Sequence, residues 1–215
     1  MESQIQGNMK KEVVVIDYGM GNLWSVKSAL DFIGVETIIS NDPKKITAAN
    51  ILVLPGVGAF RRAMTSLNKT GISEAIVEAV SRKKTKILGI CLGMQLLGQS
   101  STEDGFTEGL SLITSKSEKF NNDHNPEIKI PHVGFNSVYF PEDSNLFQQL
   151  EKESDFYFTH SYKMTLSNSE GLESKTHHAG DFLAAYENEN IFATQFHPEK
   201  SQSNGLRLLH NFIVA

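Results

Sequence analysis

KILGICLGMQ, residues 86–95, is the stretch that decides the fold, because an apolar strand meets the start of a helix within it. The apolar run before Cys91 is typical of a buried parallel strand. Gly89 and Gly93 stand two residues before and two residues after Cys91, which is the spacing of a nucleophile elbow. Glycines permit that cramped turn and leave the central side chain exposed above the sheet. The stretch therefore predicts an α/β fold with Cys91 at the N-terminus of a helix.

The chain around this elbow alternates short β-branched runs with segments of helical period, the pattern of a parallel sheet with crossover helices. In the first half the predicted strands are 13–16, 35–40, 51–54 and 86–90, and the predicted helices are 23–33, 43–49 and 59–79. In the second half polar turn clusters separate predicted strands at 134–140, 155–159, 182–187 and 191–196, before a closing helix near 206–213. The predicted fold class is α/β, a three-layer sandwich with a mostly parallel central sheet and antiparallel additions in the second half.

The length of 215 residues favours one large α/β unit, since roughly 150 residues are usual per domain. Residues 11–215 are expected to form a single domain, and residues 1–10 a disordered N-terminal extension. A net charge of −5 disfavours nucleic-acid binding, which needs a basic surface. The single cysteine points to a reducing compartment, and no apolar run approaches the length of a membrane span. The protein is therefore expected to be soluble and cytoplasmic.

Cys91 is the candidate nucleophile. At a helix N-terminus the unpaired backbone N–H groups stabilise a thiolate, and the N–H of Leu92 points to where an oxyanion would form. A buried structural cysteine is the alternative, since free cysteines are often buried. The flanking glycines favour the nucleophile.

A thiol nucleophile needs a base, and the base needs a group that orients it. FHPE, residues 196–199, supplies both. His197 follows an apolar strand, Pro198 stops that strand, and Glu199 returns within reach of the imidazole. A surface turn with an incidental histidine is the alternative interpretation.

Two further segments carry candidate binding groups. LPGVG, residues 54–58, has glycines on both sides of Val57, which lets backbone N–H groups turn toward a ligand, although a tight βα turn fits equally. FYFTHSY, residues 156–162, is a predicted strand that ends in polar side chains. For its His160 a structural or binding role ranks above catalysis. A metal site is not expected, because the adjacent His177 and His178 would diverge and no HExxH pattern occurs.

PGVGAF, GICLGMQ and QFHPEKS occur in this order at predicted strand ends, and together they resemble the triad (class I) glutamine amidotransferases. Within that family DYGMGNLWSV, PHVGFNSV and FYFTHSY are similar to the glutaminase subunits of imidazole glycerol phosphate synthase. The resemblance implies hydrolysis of glutamine to glutamate and ammonia through a cysteine thioester. It also implies delivery of the ammonia to a (βα)8 cyclase subunit in a heterodimer, which makes imidazole glycerol phosphate and AICAR in histidine biosynthesis. No cofactor and no metal are implied.

Carried over residue by residue, the resemblance implies that Cys91 attacks the glutamine side-chain amide, that His197 relays the proton and that Glu199 orients His197. The resemblance also implies an oxyanion hole at Val57, Gly58 and Leu92, in which the peptide at Val57 rotates to present its N–H. It implies contacts with the substrate glutamine at Gln95, His160, Ser161 and Tyr162. A surface at Tyr157 and Lys200 is implied to face the partner.

The chain departs from the subfamily pattern at Phe135, where the histidine-pathway subunits usually carry tryptophan. FYFTHSYKM and QSNGL also resemble paralogues that supply ammonia for amidation of bacterial surface sugars. The glutaminase chemistry is the same in both pathways. From the residues alone, a free-standing cysteine hydrolase or peptidase of the nucleophile-elbow type is the alternative from another class.

Overall fold

The computed structural model describes residues 11–123, 126–167 and 170–215, and these form one 13-stranded sheet with its helices. The strands are β1 (Glu12–Ile16), β2 (Glu36–Ser40), β3 (Ile51–Gly56), β4 (Lys86–Cys91), β5 (Ser100–Ser101), β6 (Thr107–Glu108), β7 (Lys116–Lys119), β8 (His132–Tyr139), β9 (Glu153–His160), β10 (Tyr162–Met164), β11 (Leu172–His177), β12 (Asp181–Asn188) and β13 (Ile191–Thr194). The α-helices are α1 (Leu23–Phe32), α2 (Pro43–Ala48), α3 (Phe60–Thr70), α4 (Ile72–Val77), α5 (Leu92–Leu97) and α6 (Gln202–Val214). The predicted N-terminal extension, residues 1–10, lies outside the described residues. No helix in these ranges is long and apolar enough to cross a bilayer.

Five neighbouring parallel strands form the core of the sheet, in the order β2-β1-β3-β4-β13. Successive side chains of β1 point to opposite faces of the sheet, as in any β-strand, and so pack into two different cores. Val14 packs on the side of α3 and α5, whereas Val13 packs on the side of α1 and α6. The predicted three-layer sandwich is therefore confirmed, with helices on both faces of the sheet.

The second half of the chain extends this core with antiparallel strands. β12 pairs antiparallel with β13, and the order continues through β10 and β7, which also pair antiparallel, to β5, which pairs parallel with β7, and to β6. β11 pairs with β12 and β8, and β8 pairs with β9 along their whole length, from His132 opposite His160 to Tyr139 opposite Glu153. The predicted antiparallel additions are thus confirmed.

Two details of the sequence prediction are wrong. The helix predicted at 59–79 is interrupted, because α3 ends at Thr70, the next residue, Gly71, has a left-handed φ of 71°, and α4 begins after it. Glycine takes this conformation without strain, so it ends a helix inside an apolar pattern that runs on. The strand predicted at 191–196 ends at Thr194.

Several short strands have no counterpart in the prediction, namely β5, β6, β7, β10 and β11. Their sequences are polar, and β7 buries Ser117 alone among its 4 residues. Such strands lack the alternating apolar pattern that identifies a half-buried strand. Pairing with neighbours, and not local sequence, makes them strands.

The carboxyl ends of three core strands lie next to one another. β3 ends at Gly56, which stands opposite Cys91 at the end of β4, and Thr194 at the end of β13 pairs with Ile90. Open α/β sheets bind ligands outside the carboxyl ends of their strands. The topology therefore brings the LPGVG, cysteine and FHPE segments to one edge of the sheet.

Close packing of α5 on β3 forms the turn at Cys91. A Cβ at Gly93, in the first turn of α5, would overlap the carbonyl oxygen of Leu54, and a Cβ at Gly89 would lie 2.9 Å from the backbone of Gly93. The chain bends so sharply here that Cys91 has a φ of 55°, an uncommon value for a residue with a side chain. The elbow depends on these two glycines.

Substitution of Gly93 by alanine is expected to lower the free energy of unfolding by about 3 kcal/mol, because the added methyl group overlaps a strand carbonyl that cannot move alone. Gly21→Ala is the matched control, since a Cβ at Gly21 has its nearest neighbours at 3.5 Å. Urea unfolding followed by circular dichroism compares the two variants. Equal stability of both would contradict this account of the elbow.

Candidate active site

His197 and Glu199 form a buried pair beside the elbow. The Nδ1 atom of His197 lies 2.8 Å from Oε1 of Glu199, and the two side chains are 2% and 1% exposed. Pro198 starts a 3-10 turn, Pro198–Lys200, which returns Glu199 to the imidazole as the sequence predicts. A carboxylate oxygen accepts, so Nδ1–H donates and Nε2 is the nitrogen left for proton transfer. Within the described residues Nε2 has no hydrogen-bond partner.

The charge state of His197 depends on its neighbours. Burial by itself would lower the pKa of His197, but the sulfur of Cys91 and the carboxylate of Glu199 raise that pKa to about 10. Negative charge beside an imidazole favours its protonated form. The ring is thus held as a cation that can protonate a leaving group.

A cavity of about 470 Å³ opens at Cys91. Its walls include Val57, Gly58, Leu92, Gln95, His160, Ser161 and Tyr162, which are all the residues predicted for the oxyanion hole and for glutamine binding. Gly58 has a φ of 106°, a backbone conformation that L side chains rarely adopt. The structure therefore brings the predicted oxyanion and binding residues to one cavity, with Cys91 in its wall.

Three further residues line the cavity and were not among the predicted site residues: Glu103, Pro131 and Thr159. Glu103 is the one with a charge. Its Oε2 accepts a hydrogen bond from the backbone N–H of Phe60 at 2.7 Å, at the start of α3. Burial raises the pKa of Glu103. The STEDG segment around it looks like any polar loop, so only the fold identifies this carboxylate.

The backbone carbonyl of Tyr162 orients the side chains behind the cavity. It accepts from Gln95 Nε2 at 2.9 Å and lies 2.7 Å from Nδ1 of His160. A carbonyl only accepts, so His160 Nδ1 carries the proton and His160 Nε2 accepts from His132 Nδ1, 3.2 Å away. His132 Nε2 then accepts from Asn136 Nδ2, also at 3.2 Å. One carbonyl thus sets the tautomers of two histidines.

These two histidines stay neutral. Burial, together with a smaller effect of neighbouring histidines, lowers the pKa of His132 to about 4 and that of His160 to about 3. The described residues contain no group of three His, Cys, Asp or Glu side chains that could hold a metal ion. His160 therefore acts here as a neutral hydrogen-bonding group in the cavity wall.

A family model described as glutamine amidotransferase class-I matches residues 14–215. The chain belongs to the class-I glutamine amidotransferases. It is 42% identical over 203 residues to the imidazole glycerol phosphate synthase subunit HisH 1 of Parasynechococcus marenigrum (strain WH8102), covering 94% of this chain and 97% of that one. It is 45% identical over 201 residues to the imidazole glycerol phosphate synthase subunit HisH of Chlorobium chlorochromatii (strain CaD3), covering 93% and 98%.

Solved structures share the fold of this amidotransferase. PurLQS from Thermotoga maritima matches with a TM-score of 0.70 and 17% identity, covering 96% of this chain and 99% of that one. A crystal structure of a glutamine amidotransferase matches with a TM-score of 0.72 and 18% identity, covering 94% and 97%. At these identities the likeness concerns the fold alone.

The two residues predicted to face a partner, Tyr157 and Lys200, lie against each other. Lys200 Nζ stands 5.7 Å above the ring of Tyr157, and the ring of Phe135 lies 5.6 Å from the same ring. Phe135, on β8, is 50% exposed. The same pair of strands, β8 and β9, ends at the cavity, where Thr159 forms part of the wall.

Substitution of Cys91 by alanine is expected to lower the pKa of His197 from its value near 10, because the sulfur is the stronger of the two groups that raise it. Histidine side-chain NMR across pH 5–11 measures the shift. The ring resonances of His210, on α6, serve as the internal reference. An unchanged His197 titration would show that the sulfur does not act on the ring.

Proposed function

We propose that this amidotransferase is the glutaminase subunit of imidazole glycerol phosphate synthase and supplies ammonia for histidine biosynthesis. The observation that carries the proposal is the arrangement of Cys91, at the elbow and in the wall of the cavity, beside the buried pair of His197 and Glu199. Near-full-length identity of 42–45% to proteins named as HisH subunits supports the pathway. Because the nucleophile must stay reduced, we assign the protein to the cytoplasm.

Acylation begins with the sulfur of Cys91 attacking the side-chain amide carbon of glutamine. A C–S bond forms, and the carbonyl oxygen becomes an oxyanion that the N–H groups of Leu92 and Gly58 stabilise. The C–N bond then breaks, and the leaving nitrogen takes the proton from His197 Nε2. The products of this step are a γ-glutamyl thioester on Cys91 and ammonia.

Hydrolysis returns the enzyme to its starting state. His197 accepts a proton from water, the water oxygen attacks the thioester carbon, and the C–S bond breaks. Glutamate leaves, and the proton on His197 is available for the next turnover. Glu199 keeps the Nδ1–H of His197 fixed, so Nε2 is the reacting nitrogen in both steps.

Polar groups in the cavity fit the amino-acid end of glutamine. Gln95 donates through Nε2 to Tyr162 and to Gln195, both at 2.9 Å, so the atom that it offers to a ligand is its Oε1. Glu103 contributes a carboxylate to the same wall. An amide oxygen and a carboxylate together suit the α-ammonium group of the substrate.

The partner in this proposal is a (βα)8 cyclase subunit that binds at the surface of Phe135, Tyr157 and Lys200. Ammonia released into water near neutral pH is mostly protonated and no longer nucleophilic, so its production should be coupled to a docked subunit. Rotation of the loop at Val57 can provide this coupling, because it supplies one N–H of the oxyanion hole only when the subunit is docked. Absence of one oxyanion donor costs about 10²- to 10³-fold in rate.

Substitution of Cys91 by serine is expected to abolish glutamine hydrolysis, with at least a 10³-fold loss, because a hydroxyl lacks the accessible anionic form of a thiol. Glutamate formation in the complex with the cyclase subunit measures the loss. The cyclase reaction fed with ammonium salt is the control and should be retained. Glutaminase activity that persists in the variant would refute the assignment of the nucleophile.

Substitution of Lys200 by alanine is expected to weaken binding of the cyclase subunit about tenfold and to reduce its stimulation of glutamine hydrolysis, because an exposed cation at the docking surface is lost. Lys44→Ala, on α2, is the matched control. Calorimetric titration measures the affinity. Full glutaminase activity of the purified chain alone, unchanged by the cyclase subunit, would contradict the proposed partnership.

A further inference from the structure

Gln195 contacts the sulfur of the candidate nucleophile. Its Nε2 lies 3.6 Å from Sγ of Cys91, and the residue is 0% exposed. The backbone of Gln195 follows the end of β13 and is fixed by a bond from its N–H to the carbonyl of Ala184, at 2.8 Å. Two residues further along is His197, so one short segment presents two side chains to Cys91.

The orientation of the Gln195 amide follows from its neighbours. Gln95 must turn its Nε2 toward the carbonyl of Tyr162, since that oxygen only accepts. The same Nε2 lies 2.9 Å from Gln195, so the atom of Gln195 that faces it is the acceptor Oε1. The amide nitrogen of Gln195 is therefore the atom directed at the sulfur. The interaction is a donor facing a nucleophile.

We propose that Gln195 donates a hydrogen bond to the Cys91 thiolate, which stabilises the anion and holds Sγ in line with the cavity. The proposal rests on the proposed glutaminase function, since it assigns a role in activating the nucleophile of that reaction. Bonds from N–H groups to an anion are stronger than those to a neutral group, and burial keeps water from competing.

The contacts of Gln195 separate this role from ordinary packing. Its side chain bonds to Gln95 and Cys91, which are both residues of the cavity wall. Burial of an amide costs free energy unless its groups are bonded, and here the bonds are made inside the site. The titratable groups near the same sulfur are His197 and the buried hydroxyl of Tyr18, since the sulfur raises the pKa of both.

Gln195→Glu is the sharpest test. The variant keeps an oxygen for Gln95, and it replaces the amide donor that faces the sulfur by a second oxygen, which also brings negative charge to the site. Gln195→Met removes the donor while retaining the approximate volume. Thr194→Val is the matched control, because the Thr194 hydroxyl is also buried at the end of β13 but bonds to the carbonyl of Phe196, at 3.0 Å.

The first readout is the rate at which iodoacetamide alkylates the protein as a function of pH. The chain has a single cysteine, so the adduct measured by mass spectrometry reports Cys91 alone. The pH of half-maximal rate should rise in Gln195→Met, rise further in Gln195→Glu, and stay unchanged in Thr194→Val. Unchanged profiles in folded Gln195 variants would overturn the proposal.

The second readout is glutamine hydrolysis in the complex with the cyclase subunit and its ligand. Loss of the donor should lower kcat about 10- to 100-fold, the usual effect of a charged hydrogen bond, and alter KM less than threefold, because Gln95 keeps its bond to Tyr162. Equal kcat values for wild type and both variants would count against the inference. Wild-type protein without any glutaminase activity would instead refute the proposed function, and the alkylation profile would still decide the role of Gln195.

A third measurement uses the native Gln195 side chain and so does not depend on the folding of a Gln195 variant. The side-chain amide 15N–H resonances of Gln195 should move as Cys91 titrates in the wild type and should show no such step in Cys91→Ala. Resonances that do not respond to the thiol would refute the hydrogen bond.

Discussion

The active site depends on the place where α5 lies against β3 with no side chain between them. Because Gly93 has no Cβ, the helix approaches the carbonyl of Leu54 directly, and the chain can turn from β4 into α5 within a single residue. That residue is Cys91, which takes the strained φ and is held at the carboxyl edge of the sheet. The positions of the loop after β3 and of the segment after β13 are set relative to this turn, since both strands flank β4.

The direction of the hydrogen bonds behind the cavity fixes the orientation of its side chains. The carbonyl of Tyr162 receives two donors, and from it the donor and acceptor assignments follow along two branches. One branch runs through Gln95 and Gln195 to the sulfur, and the other through His160 and His132 to Asn136 on β8. Neutral histidines in the second branch leave His197 as the charged imidazole beside Cys91. The strand that carries exposed Phe135 is therefore connected by hydrogen bonds to the wall of the cavity.

Sequence patterns predicted those parts of the site that local geometry requires. A cysteine between two glycines at the end of an apolar run identifies an elbow, and proline after histidine identifies a turn that brings Glu199 back. Glu103, Gln195 and His132 were beyond such reasoning, because their roles arise from contacts between segments far apart in the chain: Gln195 meets a sulfur 104 residues away. The prediction missed five short strands for the same reason, since their pairing partners and not their own residues determine their structure: β5, β6, β7, β10 and β11.

The position of β13 in the sheet affects how the chain folds during synthesis. β4 lies between β3 and β13, so its second edge is covered by a strand that leaves the ribosome about a hundred residues later. Until then the growing chain exposes the free edge of the apolar strand β4. Such an unpaired edge is prone to mispairing with other chains. Contacts this distant in sequence also slow folding, because the intervening loop must close first. The thiol of Cys91 and the imidazole of His197 meet only after synthesis of the sheet is almost complete. In an incomplete polypeptide the cysteine therefore lacks its histidine.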